Sequence, residues 1–288
     1  MAEAIIRGVC LNYRILGDRG PAIALSPGGR RPLGDVQPLA ERLAKAGHRV
    51  LLHDRRNCGA SAVSFDATSS EYEVWADDLN ALAETLGLLP LYAGGGSSGA
   101  RLALLLAIRH PASVRGLLLW RITGGASAPE LAEAYYGDFI RIAEQGGMAA
   151  VCATPHFADC IHARPGNRDR LMAMQVNAFV AVMKSWRDAF LREAAMPVIG
   201  ASAAQLQAIT APTCVIAGND PIHTRTAAQT LSHLLASATL HDDVISAQTQ
   251  LEKAALEWGQ KRDRVAQIFL DFLNHPAQVA HANRATAN

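Results

Sequence analysis

The amino-acid sequence predicts an α/β protein: a mostly parallel sheet flanked by helices, with a helical insertion after the sixth strand. Three observations carry that prediction. Strand and helix signals alternate up to Trp120. The alternation stops between 123 and 209, where only helical patterns occur, and resumes afterwards. A glycine-rich turn, Gly94-Gly95-Gly96-Ser97-Ser98-Gly99, separates a short apolar run from an apolar helix. Such alternation is the signature of a parallel sheet covered on both faces by helices.

The elements follow in order. Ile5 to Ile15 reads as two short extended pieces of a hairpin, closed by the turn residues Gly17, Asp18, Arg19 and Gly20. Ala22 to Ser26 is an apolar run between Pro21 and Pro27-Gly28-Gly29, as suits a buried strand. Val36, Leu39, Leu43 and Ala46 recur at helical spacing, and Gly47 ends that helix before a strand at Arg49 to Leu52. Glu71 to Gly87 predicts an amphipathic helix, Leu89 to Ala93 a strand, Ala100 to Arg109 a helix and Val114 to Trp120 a strand. Within the insertion the spacing predicts helices at Leu131 to Glu144, Arg168 to Phe179 and Val182 to Ala194. Strands at Thr213 to Ala217 and Ala238 to His241, a helix at Thr226 to Leu235 and a last helix at Glu257 to Leu273 complete the pattern. The expected division is therefore a core made of 1–122 and 210–274, a helical cap at 123–209, and a polar tail at 275–288.

Composition narrows the function. The chain has 288 residues, 50% of them hydrophobic, and 27 Lys+Arg against 26 Asp+Glu give a formal net charge of +1. That balance supplies no field to recruit a phosphate backbone, and no dense Lys/Arg run is present, so a nucleic-acid partner is not expected. The longest apolar runs, such as Leu102 to Ile108, fall far short of the roughly 18 residues a membrane span needs, and MAEAIIRGVC lacks an apolar signal core. Cys10, Cys58, Cys152, Cys160 and Cys214 are scattered, without a zinc-site spacing, and fit free thiols in a reducing compartment. The expectation is a cytoplasmic protein that acts on a small-molecule substrate without metal or cofactor, with a homodimer left as an option.

Gly95-Gly96-Ser97-Ser98-Gly99 matches G-x-S-x-G between a predicted strand and a predicted helix. A tight turn there holds the serine out, while flanking glycines avoid collision. The same residues satisfy a dinucleotide fingerprint, Gly94-x-Gly96-x-x-Gly99. That reading expects an acid at the end of the next strand, which instead ends Leu119-Trp120-Arg121.

With Asp54-x-Arg56-Asn57-x-Gly59-x-Ser61, Arg109-His110-Pro111 and Gly218-Asn219-Asp220 added, the chain resembles the α/β-hydrolase-fold superfamily over nearly its whole length. Asn57 stands where that family usually has glycine, and asparagine enters left-handed backbone conformations more readily than most residues. The resemblance implies Ser97 as nucleophile and Asp220 as the acid that orients a histidine. It also implies an oxyanion hole from the backbone N–H groups of Gly29 and Ser98, with Pro27-Gly28 in place of the usual His-Gly.

The family's Gly-His is expected near Gln248, where this chain has no histidine, and its only Gly-His, Gly47-His48, precedes Ser97. Two candidates for the base stay open: His241, at the end of the eighth strand, and His223, in the loop of Asp220. Arg30, Trp120 and Arg121 are expected to face the substrate, Arg121 as a bidentate carboxylate partner. The implied activity is that of a serine hydrolase on a small or medium ester, lactone or related acyl compound, including carbon–carbon cleavage of a dioxo acid. A lyase-like enzyme or a binding protein with a degenerate triad would account for the missing Gly-His.

Overall fold

In a computed structural model, residues 2–192 and 200–275 are described. The expected tail after His275 and the end of the helix predicted at Val182 to Ala194 lie outside them. Eight strands form one sheet: β1 (Ala2–Ile6), β2 (Val9–Leu16), β3 (Ala22–Ser26), β4 (Arg49–His53), β5 (Leu91–Gly96), β6 (Val114–Trp120), β7 (Thr213–Ile216) and β8 (Ala238–His241). Their order is β1-β2-β4-β3-β5-β6-β7-β8. β2 runs antiparallel to both β1 and β4, and every later pairing is parallel.

The crossovers are helical: α1 (Gln37–Lys45), α2 (Glu71–Thr85) and α3 (Ser98–Arg109). α2 starts where the sequence supplies a capping box, with Ser70 accepting from the Glu73 amide and Glu73 accepting from the Ser70 amide. α3 is buried along nearly its whole length beside β5, which is why it reads as an apolar run rather than a stripe.

Between β6 and β7 lie α4 (Ala128–Ala132), α5 (Asp138–Cys152), α6 (Pro155–Ala163), α7 (Gly166–Met172), α8 (Val176–Arg192) and α9 (Ala203–Gln207). The expected helix at Arg168 to Phe179 is divided between α7 and α8, and α6 was not anticipated. The insertion has an aromatic core in which Phe65 of the main body meets Phe157, Phe179 and Trp186 at centroid distances of 6.2, 5.2 and 5.9 Å.

After β7 come α10 (Arg225–Leu234), α11 (Leu251–Gln260) and α12 (Arg262–Asn274). The single last helix expected from Glu257 is thus two helices, with a break at Lys261. The missed start of α11 was legible: Leu251, Ala254, Ala255 and Trp258 recur at helical spacing, and Ala254 and Trp258 are buried. Among the described residues, no helix is long and apolar enough to cross a membrane.

The turn after β4 shows why its residue types are needed. The Asp54 carboxylate accepts from the Leu33 amide at 2.6 Å, the Asn12 side chain at 2.7 Å and the Ala60 amide at 2.9 Å. A Cβ at Gly59 would overlap that carboxylate. Asn57 takes φ 65°, the left-handed conformation anticipated from its side chain. Arg56 grips Asp78 of α2 with two bonds of 2.6 and 2.7 Å, both side chains buried, and so ties this turn to the sheet's helical cover.

Candidate active site

Ser97 lies between the end of β5 and the first turn of α3, with φ 55° and ψ −118°. A non-glycine residue at positive φ carries strain of about 1–3 kcal/mol and persists only where its surroundings fix it. Here the fixing groups are the carbonyls of Trp120 and Arg121, which accept from the Ser97 amide at 3.1 and 3.0 Å. A Cβ at Gly95 would overlap the Gly99 backbone, and one at Gly99 would overlap the Ser26 carbonyl. The turn is therefore closed to larger residues at both glycines. The Ser97 hydroxyl rests 3.1 Å from that of Thr123, just beyond β6.

A cleft of about 450 Å³ opens on Ser97 at the C-terminal edge of the parallel strands; Gly29, Arg121, His223 and Trp258 help to line it. Ligands of open α/β sheets sit at this edge. The loop after β3 brings Gly28 against Ser97, since a Cβ there would stand 3.3 Å from the Ser97 Cβ. Gly29 takes φ 47°, and its amide has no hydrogen-bond partner among the described residues. Its carbonyl is held by the buried Arg55 guanidinium at 2.8 Å. Ser98 opens α3, so its amide belongs to the helix end whose N–H groups lack intrahelical acceptors. Donors of this kind can stabilise an oxyanion.

The imidazole gripped by Asp220 is that of His223. The two carboxylate oxygens lie 3.1 and 3.0 Å from His223 Nδ1, and Oδ1 also accepts from the Ile222 amide at 3.0 Å and the His223 amide at 2.8 Å. Burial alone would raise the Asp220 pKa. The His223 ring and these amides outweigh it and hold the carboxyl below its usual range. His223 Nε2 is buried without a partner. An imidazole fixed in this way through Nδ1 can take a proton at Nε2.

His241, the other candidate, is not among the residues that line the cleft. It pairs with Ile216 at the β7–β8 edge, and its charged neighbours are Arg264, Asp243 and Asp271. Burial, reinforced by Arg264, pulls its pKa below the ordinary value. Gln248 does reach the loop of the acid, its amide donating to the Asn219 carbonyl at 2.9 Å. That stretch is tied down by Glu257 of α11, which accepts from the Ser246 amide and hydroxyl and from the Gln248 side chain at 2.9, 2.7 and 3.0 Å.

The expected substrate contacts divide. Arg121 and Trp120 line the cleft. Arg121 takes φ 53° and lies over the Trp258 ring with its guanidinium carbon 5.0 Å from the centroid, making no ion pair among the described residues. Arg30 corrects the expectation: it is not in the cleft. Its buried guanidinium pairs with Glu71 at 2.8 Å, packed beside the rings of Tyr135, Tyr136 and Phe139. Tyr136 also donates to Glu71 at 3.0 Å. Each of the three aromatic residues belongs to the insertion, and they give the Arg30–Glu71 pair an enclosed setting. Trp258 and Arg262 also line the cleft; both fall within the helix expected at Glu257 to Leu273, but helical spacing alone does not say which of its residues meet the site. Among the described residues, no three His, Cys, Asp or Glu side chains are grouped so as to hold a metal.

The model of a family described by the α/β-hydrolase fold matches residues 31–159. A proline iminopeptidase of Lactobacillus helveticus is 24% identical over 250 residues, 78% of this chain and 83% of that protein. An sn-1-specific diacylglycerol lipase of Mus musculus is 36% identical over 130 residues, 44% of this chain and 41% of that protein. Among solved structures, the enol-lactonase of Burkholderia xenovorans superposes with a TM-score of 0.63 at 22% identity, covering 95% of this chain and 100% of its own. A hydrolase of Pseudomonas aeruginosa gives a TM-score of 0.63 at 21% identity, covering 94% of this chain and 97% of its own. With the sheet order and the strand–Ser97–helix turn already established, these likenesses show that the chain has the α/β-hydrolase fold.

Proposed function

We propose that the protein is a serine hydrolase of small or medium carboxylic esters, lactones or related acyl compounds, working without a cofactor. The observation that carries this reading is a single cleft exposing both Ser97 and a His223 ring that is held through Nδ1 by Asp220 while Nε2 has no partner. Ser97 Oγ attacks the acyl carbonyl as its proton passes to His223 Nε2. Asp220 stabilises the imidazolium and keeps the ring in the required tautomer. The carbonyl oxygen, now negative, is received by the amides of Gly29 and Ser98, and loss of one such donor typically lowers turnover roughly 10²–10³-fold. The imidazolium returns its proton to the leaving alcohol. Water, deprotonated by the same His223, then releases the acid and restores Ser97.

The base differs from the family arrangement, since it follows its acid by three positions instead of arriving from the loop after β8. An aspartate before proline favours a turn in which its own carboxylate accepts the amides two and three residues on. This brings the residue three positions later back onto the carboxylate. The likeness to an enol-lactonase and to a diacylglycerol lipase favours an ester or lactone carbonyl. A volume of about 450 Å³ suits a small-molecule substrate. In that cleft Trp120, Trp258 and Arg121 form the wall that receives the leaving group.

The test is labelling by a fluorophosphonate probe. Wild type is expected to react and Ser97→Ala to stay unlabelled. A folded wild type that does not react sinks the proposal.

A further inference from the structure

Arg101 stands one helical turn beyond Ser97 on α3, and its amide donates to the Ser97 carbonyl at 3.2 Å. The residue is only 3% exposed. Its guanidinium carbon lies 4.3 Å from the centroid of the Tyr72 ring, on α2, and 4.6 Å from that of Phe190, on α8. Nε and Nη1 are buried without a hydrogen-bond partner, and no carboxylate among the described residues pairs with it. The other buried arginines near the site each have an acceptor, Arg30 in Glu71, Arg56 in Asp78 and Arg55 in the Gly29 carbonyl, although Arg30 Nε and Arg55 Nε and Nη1 are also without partners. An isolated buried cation is strongly disfavoured unless something pairs with it. Cation–π contact with two rings offsets part of that penalty and leaves the in-plane N–H groups unanswered.

Arg101 also lines two small voids. One, of about 10 Å³, it shares with Ser97, Ile122 and Thr123. The other, of about 20 Å³, lies under α8 beside Tyr72, Tyr136 and Phe190. Arg101 is thus common to the void beside Ser97 and to the void inside the insertion. Neither void admits an acyl chain, and the first is at the lower limit for one water. Occupancy by an acyl chain therefore requires the packing around Arg101 to open.

We infer that Arg101 is the anion-binding end of an acyl pocket beside Ser97, and that the preferred substrates are esters or lactones whose acyl chain ends in a second carboxylate. This rests on the hydrolase reading above. A carboxylate answers the paired N–H groups of a guanidinium in its own plane. The dry surroundings strengthen that pairing, and the aromatic rings receive the intervening methylenes. Ser97 and Arg101 line the same small void, so a short acyl chain is the kind that would join a carbonyl at Ser97 to a carboxylate at Arg101.

The experiment compares hydrolysis of monomethyl glutarate with that of methyl hexanoate, followed by pH-stat in wild type and in Arg101→Met. Methionine fills a similar apolar volume and removes the unpaired charge. Wild type should favour monomethyl glutarate by at least about tenfold in kcat/KM, and Arg101→Met should bring the ratio near one. A merely structural Arg101 would lower both esters together and leave the ratio alone. That result, or a wild type without the preference, overturns the inference. If neither ester is turned over, titration calorimetry with glutarate decides. Binding that is lost in Arg101→Met supports the carboxylate site while the hydrolase reading falls; binding that is absent, or that survives the substitution, overturns the site.

Discussion

Ser97 has two unlike flanks. On one side a cleft of about 450 Å³ presents polar groups with unused valence: His223 Nε2, Arg121 Nε and Trp258 Nε1 are all buried from water and lack partners. On the other side the insertion is packed down to voids of about 10 and 20 Å³; Glu71 accepts there from Arg30 and from the Tyr136 hydroxyl, while Arg30 Nε, Glu71 Oε1 and Arg101 Nε and Nη1 have no partner. Buried polar groups are normally satisfied, so each unmet one asks for an explanation. What sets the open flank apart is room, about 450 Å³ beside Ser97 and His223, which is why the proposed proton transfer and departure belong there. On the packed flank Arg30 and Glu71 at least face each other, whereas Arg101 has no carboxylate beside it and is the group proposed to take a ligand.

The comparison is broken most directly at the histidines. His223→Ala should lower kcat on a p-nitrophenyl ester by roughly 10⁴-fold or more, the scale of losing a triad base. His241→Ala, whose ring lies outside the cleft, should change it less than about threefold. The reverse result would move proton transfer away from the open flank.

The next effect belongs to the packed flank. Glu71→Ala leaves Arg30 buried and unpaired, and breaking such a pair costs about 3–5 kcal/mol. Chemical denaturation should show a loss of that size, whereas Arg101→Met, which removes an unpaired charge, should not lower the midpoint.

Acid should act on the same flank. His156, bonded to the Asn57 carbonyl at 2.8 Å, and His53 on β4 have pKa values lowered to about 3, first by burial and then by Arg30 and Arg55 respectively. The unfolded chain binds these protons near pH 6.5 and the folded one does not. Stability therefore falls as pH drops from about 6.5 towards 3, by on the order of a few kcal/mol in all. The depressed Asp220 carboxyl adds a loss in the same direction at the acid end. Replacing His156 by Asn should flatten the upper part of a plot of melting temperature against pH; a slope unchanged between pH 6.5 and 4 would show that His156 does not carry it.

The smallest expected effect is at Trp258. Trp258→Phe keeps the ring under Arg121 but removes an indole N–H that has no partner. Kinetics should show a change of no more than a few-fold in KM, with kcat nearly unaffected.

Much of this molecule is fixed by local sequence. The strand-to-helix turn at Ser97 follows from Gly95 and Gly99, because no larger residue fits either position. The turn after β4 follows likewise from Asp54, Asn57 and Gly59. Apolar runs and helical spacings marked β3 to β6 and α1 to α3 because each is one short segment with a single buried face or none exposed. The pairing of Asp220 with His223 was open in the sequence. Its local signal is an aspartate, a proline and a histidine three residues on, yet choosing it over His241 required knowing which imidazole faces the cleft. Arg30 and Arg101 look alike as sequence, each a few positions from a glycine-rich loop. Packing alone gave one a carboxylate and left the other without: burial and pairing of a charge depend on what distant segments bring beside it, here Glu71 of α2 for Arg30 and Phe190 of α8 for Arg101.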